Sequence, residues 1–86
     1  VFRSIVINTS CEHIEQELLY KSIDTAPEKT LFVLQSNNYK ELQQHINCVE
    51  NLEQFTKQYE SRLENIRPFE LQKEKYTRFM IMGVKK

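Results

Sequence analysis

The stretch Ile5-Val-Ile-Asn-Thr-Ser-Cys-Glu-His13 decides how the rest of this sequence is interpreted. Three β-branched apolar residues run directly into six polar or reactive ones, with no glycine or proline between them. An unbroken apolar run of this kind is typical of a strand buried on both faces of a sheet. The polar residues then fall at the carboxyl end of that strand, where open α/β sheets bind their ligands. The stretch therefore predicts a buried strand that ends in a site.

Length and composition indicate one modest domain, or a fragment of one, over residues 1–86. The chain is 40% hydrophobic and 28% charged, as ordinary globular proteins are. The sequence contains neither a signal-peptide pattern nor an apolar run of the roughly 18 residues that a membrane span needs. We therefore expect a cytoplasmic protein without a membrane partner, in which Cys11 and Cys48 are free thiols.

Net charge and glycine content argue against several classes of function. The formal net charge is zero, which argues against a nucleic-acid partner, and the basic cluster within residues 73–86 is interpreted as solubility patterning. The only glycine is Gly83. Dinucleotide fingerprints, P-loops and glycine-rich methyl-donor loops need several glycines so that the backbone can approach a cofactor closely. None of these three motifs is present.

The order of apolar patterns predicts an α/β fold with a mixed sheet of about four strands and two to three helices. We predict strands at 3–8, 31–34, 62–69 and 76–85, and helices at 11–23 and 52–60, the second with Asn51 as its cap. Thr9 and Glu12 have the spacing of a capping box, and residues 39–50 fit either a short helix or a long loop. The last strand has apolar residues on both faces, which predicts a central position reached through a tight turn at 72–75.

The first two strands form a βαβ unit with the helix between them, so they should lie parallel and adjacent. Their carboxyl ends then meet at one edge of the sheet. This places the polar residues 8–10 beside the polar residues 35–38. The topology thus predicts that two polar segments far apart in sequence form one site.

Two apolar strands with their polar ends, Ile5–His13 and Leu31–Asn38, together with the final strand Tyr76–Gly83, resemble the carboxyl-terminal half of a class I S-adenosylmethionine-dependent methyltransferase. They are similar to the fourth, fifth and seventh strands of that Rossmann-like sheet, whose final strand is inserted antiparallel between its neighbours. The resemblance covers nearly all of this chain but about half of such an enzyme. It implies S-adenosylmethionine as cofactor, bound mainly by a missing upstream half, and an isolated chain that is inactive.

Within this resemblance, the site residues follow the two strand ends. Asn8 and His13 are the predicted catalytic residues, because a strand-end amide and a histidine can align and deprotonate a nucleophile. The predicted binding residues for a polar substrate are Thr9, Ser10, Glu12, Gln35, Asn37, Asn38 and Tyr39. Helix capping by Thr9 and Glu12, and turn formation by the two asparagines, are the alternatives that need no function.

Three further interpretations stay open. Cys11, His13, His45 and Cys48 supply the ligand types of a zinc site, although Cys11 also falls on the apolar stripe of its predicted helix. Cys11 near a helix amino end with His13 close by could be a nucleophile, but no orienting residue is evident. A non-catalytic assembly module, with an exposed sheet edge that self-associates, would fit the same pattern.

Overall fold

The structure, a computed structural model, describes residues 4–86. Its strands are β1 Ser4–Asn8, β2 Thr30–Asn37, β3 Leu63–Gln72 and β4 Thr77–Lys85. Its helices are α1 Gln16–Asp24 and α2 Leu52–Lys57, with a 3-10 turn at Cys11–His13. The predicted α/β class with a four-stranded mixed sheet is confirmed. Within residues 4–86 no helix is long and apolar enough to cross a membrane.

The strands lie in the order β1-β2-β4-β3. β1 runs parallel to β2, and β4 runs antiparallel to both β2 and β3. The predicted βαβ pair and the predicted central last strand are therefore confirmed. Asn8, the last residue of β1, is paired with Leu34, so β2 continues three residues beyond its neighbour. This overhang carries Asn37 past the end of β1.

The core lies between one face of the sheet and the helices. Phe32 and Leu34 of β2 and Phe79 and Ile81 of β4 are buried on this face. They are covered by residues of the two helices and of the segment that follows α2, namely Leu19, Ile23, Phe55 and Tyr59. The predicted cap of α2 is also confirmed, because Asn51 Oδ1 accepts a 2.8 Å hydrogen bond from the backbone N–H of Gln54. That helix ends at Lys57 rather than near residue 60.

The single glycine, Gly83, lies in β4 opposite an irregularity in β3. The pairing of these strands shifts between Glu64 and Arg67, and Asn65 within that irregularity has a φ of 55°. A Cβ atom on Gly83 would lie 3.0 Å from Leu63 Cβ. Gly83 therefore serves the packing of the two strands and no ligand loop.

The prediction of one helix over 11–23 is wrong. The chain forms a 3-10 turn at 11–13, an extended residue at Ile14, and α1 only from Gln16 onward. Thr9 does not cap the 3-10 turn, and no side chain makes a cap hydrogen bond at the start of that turn or of α1. Glu12 is buried instead of facing solvent at a helix terminus. Residues 39–50 form a loop with turns rather than a short helix.

The prediction that β1 is buried on both faces is also wrong. Ile5 is 59% exposed and Ile7 is 65% exposed, although both are β-branched and lie in the middle of the strand. The physical reason is that β1 is an edge strand, and among residues 4–86 nothing packs on its second face. The register places Ile5 beside Leu31 and Ile7 beside Val33, on the sheet face away from the helices.

That outward sheet face is largely apolar across all four strands. In the register of the sheet it carries Ile5, Ile7, Leu31, Val33, Met80, Met82, Val84 and Phe69. Those of β2 and β4 are half-buried by their neighbours, while Phe69 and the two isoleucines are exposed. We call these eight residues the uncovered face.

Candidate functional site

The loop of residues 38–50 folds over the turn that follows β1. The backbone N–H of Asn47 donates to the carbonyl of Glu12 at 2.9 Å, and its side-chain amide donates to the carbonyl of Ile14 at 3.0 Å. The N–H of Val49 donates to the carbonyl of Asn37 at 3.1 Å. These bonds hold the segments after β1 and β2 together, as the parallel pairing predicted.

Glu12 is the buried acid of this site. The residue is 5% exposed, and one carboxylate oxygen, Oε1, accepts a 3.1 Å hydrogen bond from Asn37 Nδ2. The other oxygen, Oε2, is buried without a hydrogen-bond partner among the described residues. Among residues 4–86, His13 is the one basic residue within 4.0 Å of this carboxylate. Its Nε2 lies 3.9 Å from Glu12 Oε1. Burial of a carboxylate with so few partners costs free energy, which makes Glu12 a candidate functional residue.

Two histidines lie beside this carboxylate. His13 Nδ1 is 3.0 Å from the carbonyl oxygen of Gln44, and His45 Nδ1 is 2.7 Å from that of Tyr39. A carbonyl oxygen only accepts, so both Nδ1 atoms carry the proton, and in neutral rings Nε2 is left with its lone pair. The two rings are perpendicular, with centroids 4.5 Å apart.

Asn37 connects the acid to the loop. Its Nδ2 donates to Glu12, and its Oδ1 accepts from the backbone N–H of Tyr39 at 3.1 Å and from Cys48 Sγ at 3.7 Å. The Tyr39 ring stacks on Tyr76, the residue before β4, with centroids 5.2 Å apart. One amide side chain at the overhanging end of β2 therefore positions both the carboxylate and the aromatic side of the site.

Cys11 belongs to the core and not to the site. It is 1% exposed, and its thiol donates to the carbonyl of Asn8 at 3.8 Å. Burial raises the pKa of Cys11 to about 12, so the thiolate needed for nucleophilic chemistry does not form near neutral pH. The four-residue zinc set proposed from the sequence is not assembled, because Cys11 points into the core. Both cysteines are free thiols, as predicted.

The structure brings together four of the nine predicted site residues, namely Glu12, His13, Asn37 and Tyr39. The other five lie apart from this cluster or make local contacts. Asn8 Oδ1 accepts from the backbone N–H of Ser10 at 2.9 Å in a local turn, and Thr9 and Ser10 are exposed. Asn38 Oδ1 accepts from the N–H of Thr77 at 2.9 Å, which anchors the start of β4.

Gln35 lies on the sheet face that points away from the core. Its side chain bonds to Met80 Sδ at 3.5 Å and accepts from the Arg78 guanidinium at 3.1 Å. The alternation of side chains along a strand explains this placement, because the neighbouring Leu34 points into the core. Gln35 lines a shallow depression on the outward side of the sheet with Phe69, Leu71 and Met80, away from Glu12.

Sequence reasoning missed His45 and Asn47 as members of this site. His45 entered only as a zinc alternative, and Asn47 was not considered. Both lie in the loop of residues 38–50, whose path has no periodic pattern that could be extrapolated. The available signal was the unusual density of histidine, asparagine and cysteine over residues 45–48.

No protein-family model, no curated protein and no solved structure matches this chain. The fold and the site therefore define its class by themselves. It is a four-stranded α/β domain with a buried carboxylate and two histidines beyond the carboxyl ends of two parallel strands.

Proposed function

We propose that this chain is the substrate-side half of an S-adenosylmethionine-dependent methyltransferase, completed along β1 by a donor-binding half. The observation that carries the proposal is the strand order β1-β2-β4-β3, with the last strand antiparallel between its two neighbours. This arrangement is similar to the carboxyl-terminal half of the class I methyltransferase sheet. The Rossmann-like relationship is part of the proposal.

The exposed edge of β1 supports this proposal. Edge strands are normally protected by charged residues, proline or bulges, and Ser4–Asn8 has none of these. Its three central residues are β-branched and apolar, as in strands that pair on both sides inside a parallel sheet. A further strand beside β1 would cover its exposed edge, and helices packed on the uncovered face would bury that face.

The residues of this chain do not fit the methyl donor itself. A donor loop requires close backbone approach and hence glycines, and Gly83 lies in mid-strand against Leu63. The donor must therefore be held by the other half, and no step of its chemistry is assigned to this chain. Asn8, which the resemblance implied to be catalytic, instead accepts a hydrogen bond from the backbone N–H of Ser10 in a local turn.

The contribution proposed for this chain is to hold and polarise a polar acceptor. Glu12 Oε2 is buried without a hydrogen-bond partner among the described residues, so an N–H or O–H of the substrate has to enter past the exposed His13 to bind it, while Asn37 fixes the carboxylate through Oε1. His13 lies on the exposed side of Glu12 and can take up a proton. Alignment of the acceptor is the main requirement of methyl transfer, so a rigidly held acid suits this task.

A non-catalytic assembly module is the second candidate, and the sequence of β1 favours it specifically. If two copies paired antiparallel about Val6, Ile5 of one would face Ile7 of the other, and Ser4 would face Asn8. Such pairing places apolar residues opposite one another, and it places no charged residues opposite one another because Ser4–Asn8 contains none. Under this proposal β1 joins two identical chains instead of a donor half.

The coding sequence that adjoins Val1 distinguishes the two candidates. The methyltransferase proposal expects a glycine-rich loop after a strand, either in the same polypeptide or in a chain that copurifies with it in stoichiometric amount. Methyl transfer by that assembly to a panel of polar acceptors should then fall at least tenfold in Glu12→Gln, with Glu15→Gln as the exposed control. A natural protein without any donor loop, and with a dimer through β1, would overturn the proposal.

A further inference from the structure

We infer that Glu12, His13 and His45 form a binding site for a divalent zinc ion. One ligand atom from each of the three side chains lies within 4.8 Å of the other two. Two histidines and one carboxylate are a common ligand set for zinc with an open coordination position. The inference goes beyond methyl transfer and does not rest on it.

The carboxylate gives the first reason. Glu12 is 5% exposed, and its Oε2 is buried with no hydrogen-bond partner in residues 4–86. Burial of an anionic oxygen without a donor costs free energy, which a cation beside it would offset. No lysine or arginine of the described residues forms an ion pair with Glu12. A metal ion supplies the missing positive charge.

The histidines give the second, independent reason. Both Nδ1 atoms donate to backbone carbonyls, of Gln44 and of Tyr39, which leaves both Nε2 atoms as lone-pair donors. This orientation by an outer hydrogen bond is the arrangement seen around metal-ligating histidines. At His13 the result is that two lone-pair atoms, Nε2 and Glu12 Oε1, face each other at 3.9 Å. A cation between them turns that repulsion into attraction.

The geometry requires only a small adjustment. Ligand atoms bound to tetrahedral zinc at about 2.0–2.2 Å lie roughly 3.4 Å from one another. The side chain of His13 is 41% exposed and can move inward without disturbing the core. Glu12 and His45 are held by Asn37 and by the loop of residues 38–50. Three protein ligands leave a fourth position for water or for a polar group of a ligand.

The experiment uses the untagged 86-residue chain, stripped with EDTA and titrated with zinc in competition with a chromophoric chelator. We expect one zinc per chain, and at least tenfold weaker binding in His13→Gln, His45→Gln and Glu12→Gln. Glu15→Gln is the matched control, since this exposed acid is three residues away. His13→Gln alters an exposed side chain and keeps the test valid if the buried variants fail to fold.

A spectroscopic readout identifies the atoms. In long-range ¹H–¹⁵N spectra, zinc should shift the Nε2 resonances of both histidines and leave both Nδ1 atoms protonated. Cobalt in place of zinc should give the visible absorption of a four- or five-coordinate ion, lost in His13→Gln. Absence of stoichiometric zinc at 100 µM, or unchanged binding in His13→Gln, would overturn the inference. Either result leaves the proposed methyl transfer to be decided by its own test.

Discussion

Asn37 Nδ2 donates a 3.1 Å hydrogen bond to Glu12 Oε1, joining two buried residues that are 25 positions apart in the sequence. The bond is possible because β2 extends past the end of β1, so that Asn37 reaches the turn after β1. Within residues 4–86 it is the one hydrogen bond that the Glu12 carboxylate accepts. The site therefore depends on this pair.

Replacement of Asn37 by alanine should destabilise the chain markedly. The change leaves a buried carboxylate without its donor and removes an acceptor for the N–H of Tyr39, a loss of about 2–3 kcal/mol. Urea unfolding followed by circular dichroism measures it. Gln72→Ala, on an exposed residue of β3, is the control and should change the free energy of unfolding by less than about 0.5 kcal/mol. Equal effects of the two substitutions would show that the Asn37–Glu12 bond contributes nothing.

Stability should fall in alkaline solution because of Cys11. Burial raises the pKa of Cys11 in the folded chain from an ordinary 9.0 to about 12, so the folded state keeps its proton while the unfolded state loses it. The stabilising contribution is therefore complete below pH 9 and is lost as the pH rises toward 12. The expected slope is about 1.4 kcal/mol per pH unit above pH 9.

The comparison for this pH dependence is Cys11→Ala. The alanine variant loses packing at every pH, but its free energy of unfolding should decline less between pH 8 and pH 10. Burial also raises the pKa of Tyr59, which adds a further decline at higher pH, and this decline should be smaller in Cys11→Ala because the charge of Cys11 contributes to the raised pKa of Tyr59. Denaturant titrations at the two pH values give the difference. Parallel pH profiles for the two proteins would contradict the assignment.

The edge strand β1 should govern self-association. Ile7 is exposed in mid-strand, so Ile7→Lys places a charge on the edge without removing a core contact. We expect light scattering to show less association for Ile7→Lys than for the unsubstituted chain, with an unchanged urea midpoint. Leu71→Lys, at another exposed position on the opposite edge strand β3, is the control and should leave association as it is. A reversal of the two effects would place the association at β3.

The sequence predicted well those elements whose pattern of apolar or capping residues depends only on neighbouring strands or on nearby residues in the sequence. β2 and β4 pair on both sides, and their apolar runs indicated this directly. Asn51 caps α2 by accepting a hydrogen bond from the backbone N–H of Gln54, three residues later in the sequence. A contact over so short a separation can be predicted from the local sequence. These features needed no knowledge of distant contacts.

The features that the sequence did not predict depend on long-range contacts. Glu12 has capping-box spacing, yet Asn37 and the loop of residues 38–50 draw it into the interior. Gln35 was assigned to the site, but the alternation along β2 turns its side chain to the uncovered face. β1 carries the composition of a buried strand, while residues 4–86 supply nothing to bury its outer edge.

Calorimetry with S-adenosylmethionine tests the proposal that this chain completes a methyltransferase whose donor site lies elsewhere. The titration compares residues 1–86 alone with the natural polypeptide or complex that contains them. We predict no measurable binding to the isolated residues and micromolar binding to the complete protein, retained in Glu12→Gln. Absence of donor binding in the complete protein would contradict the account.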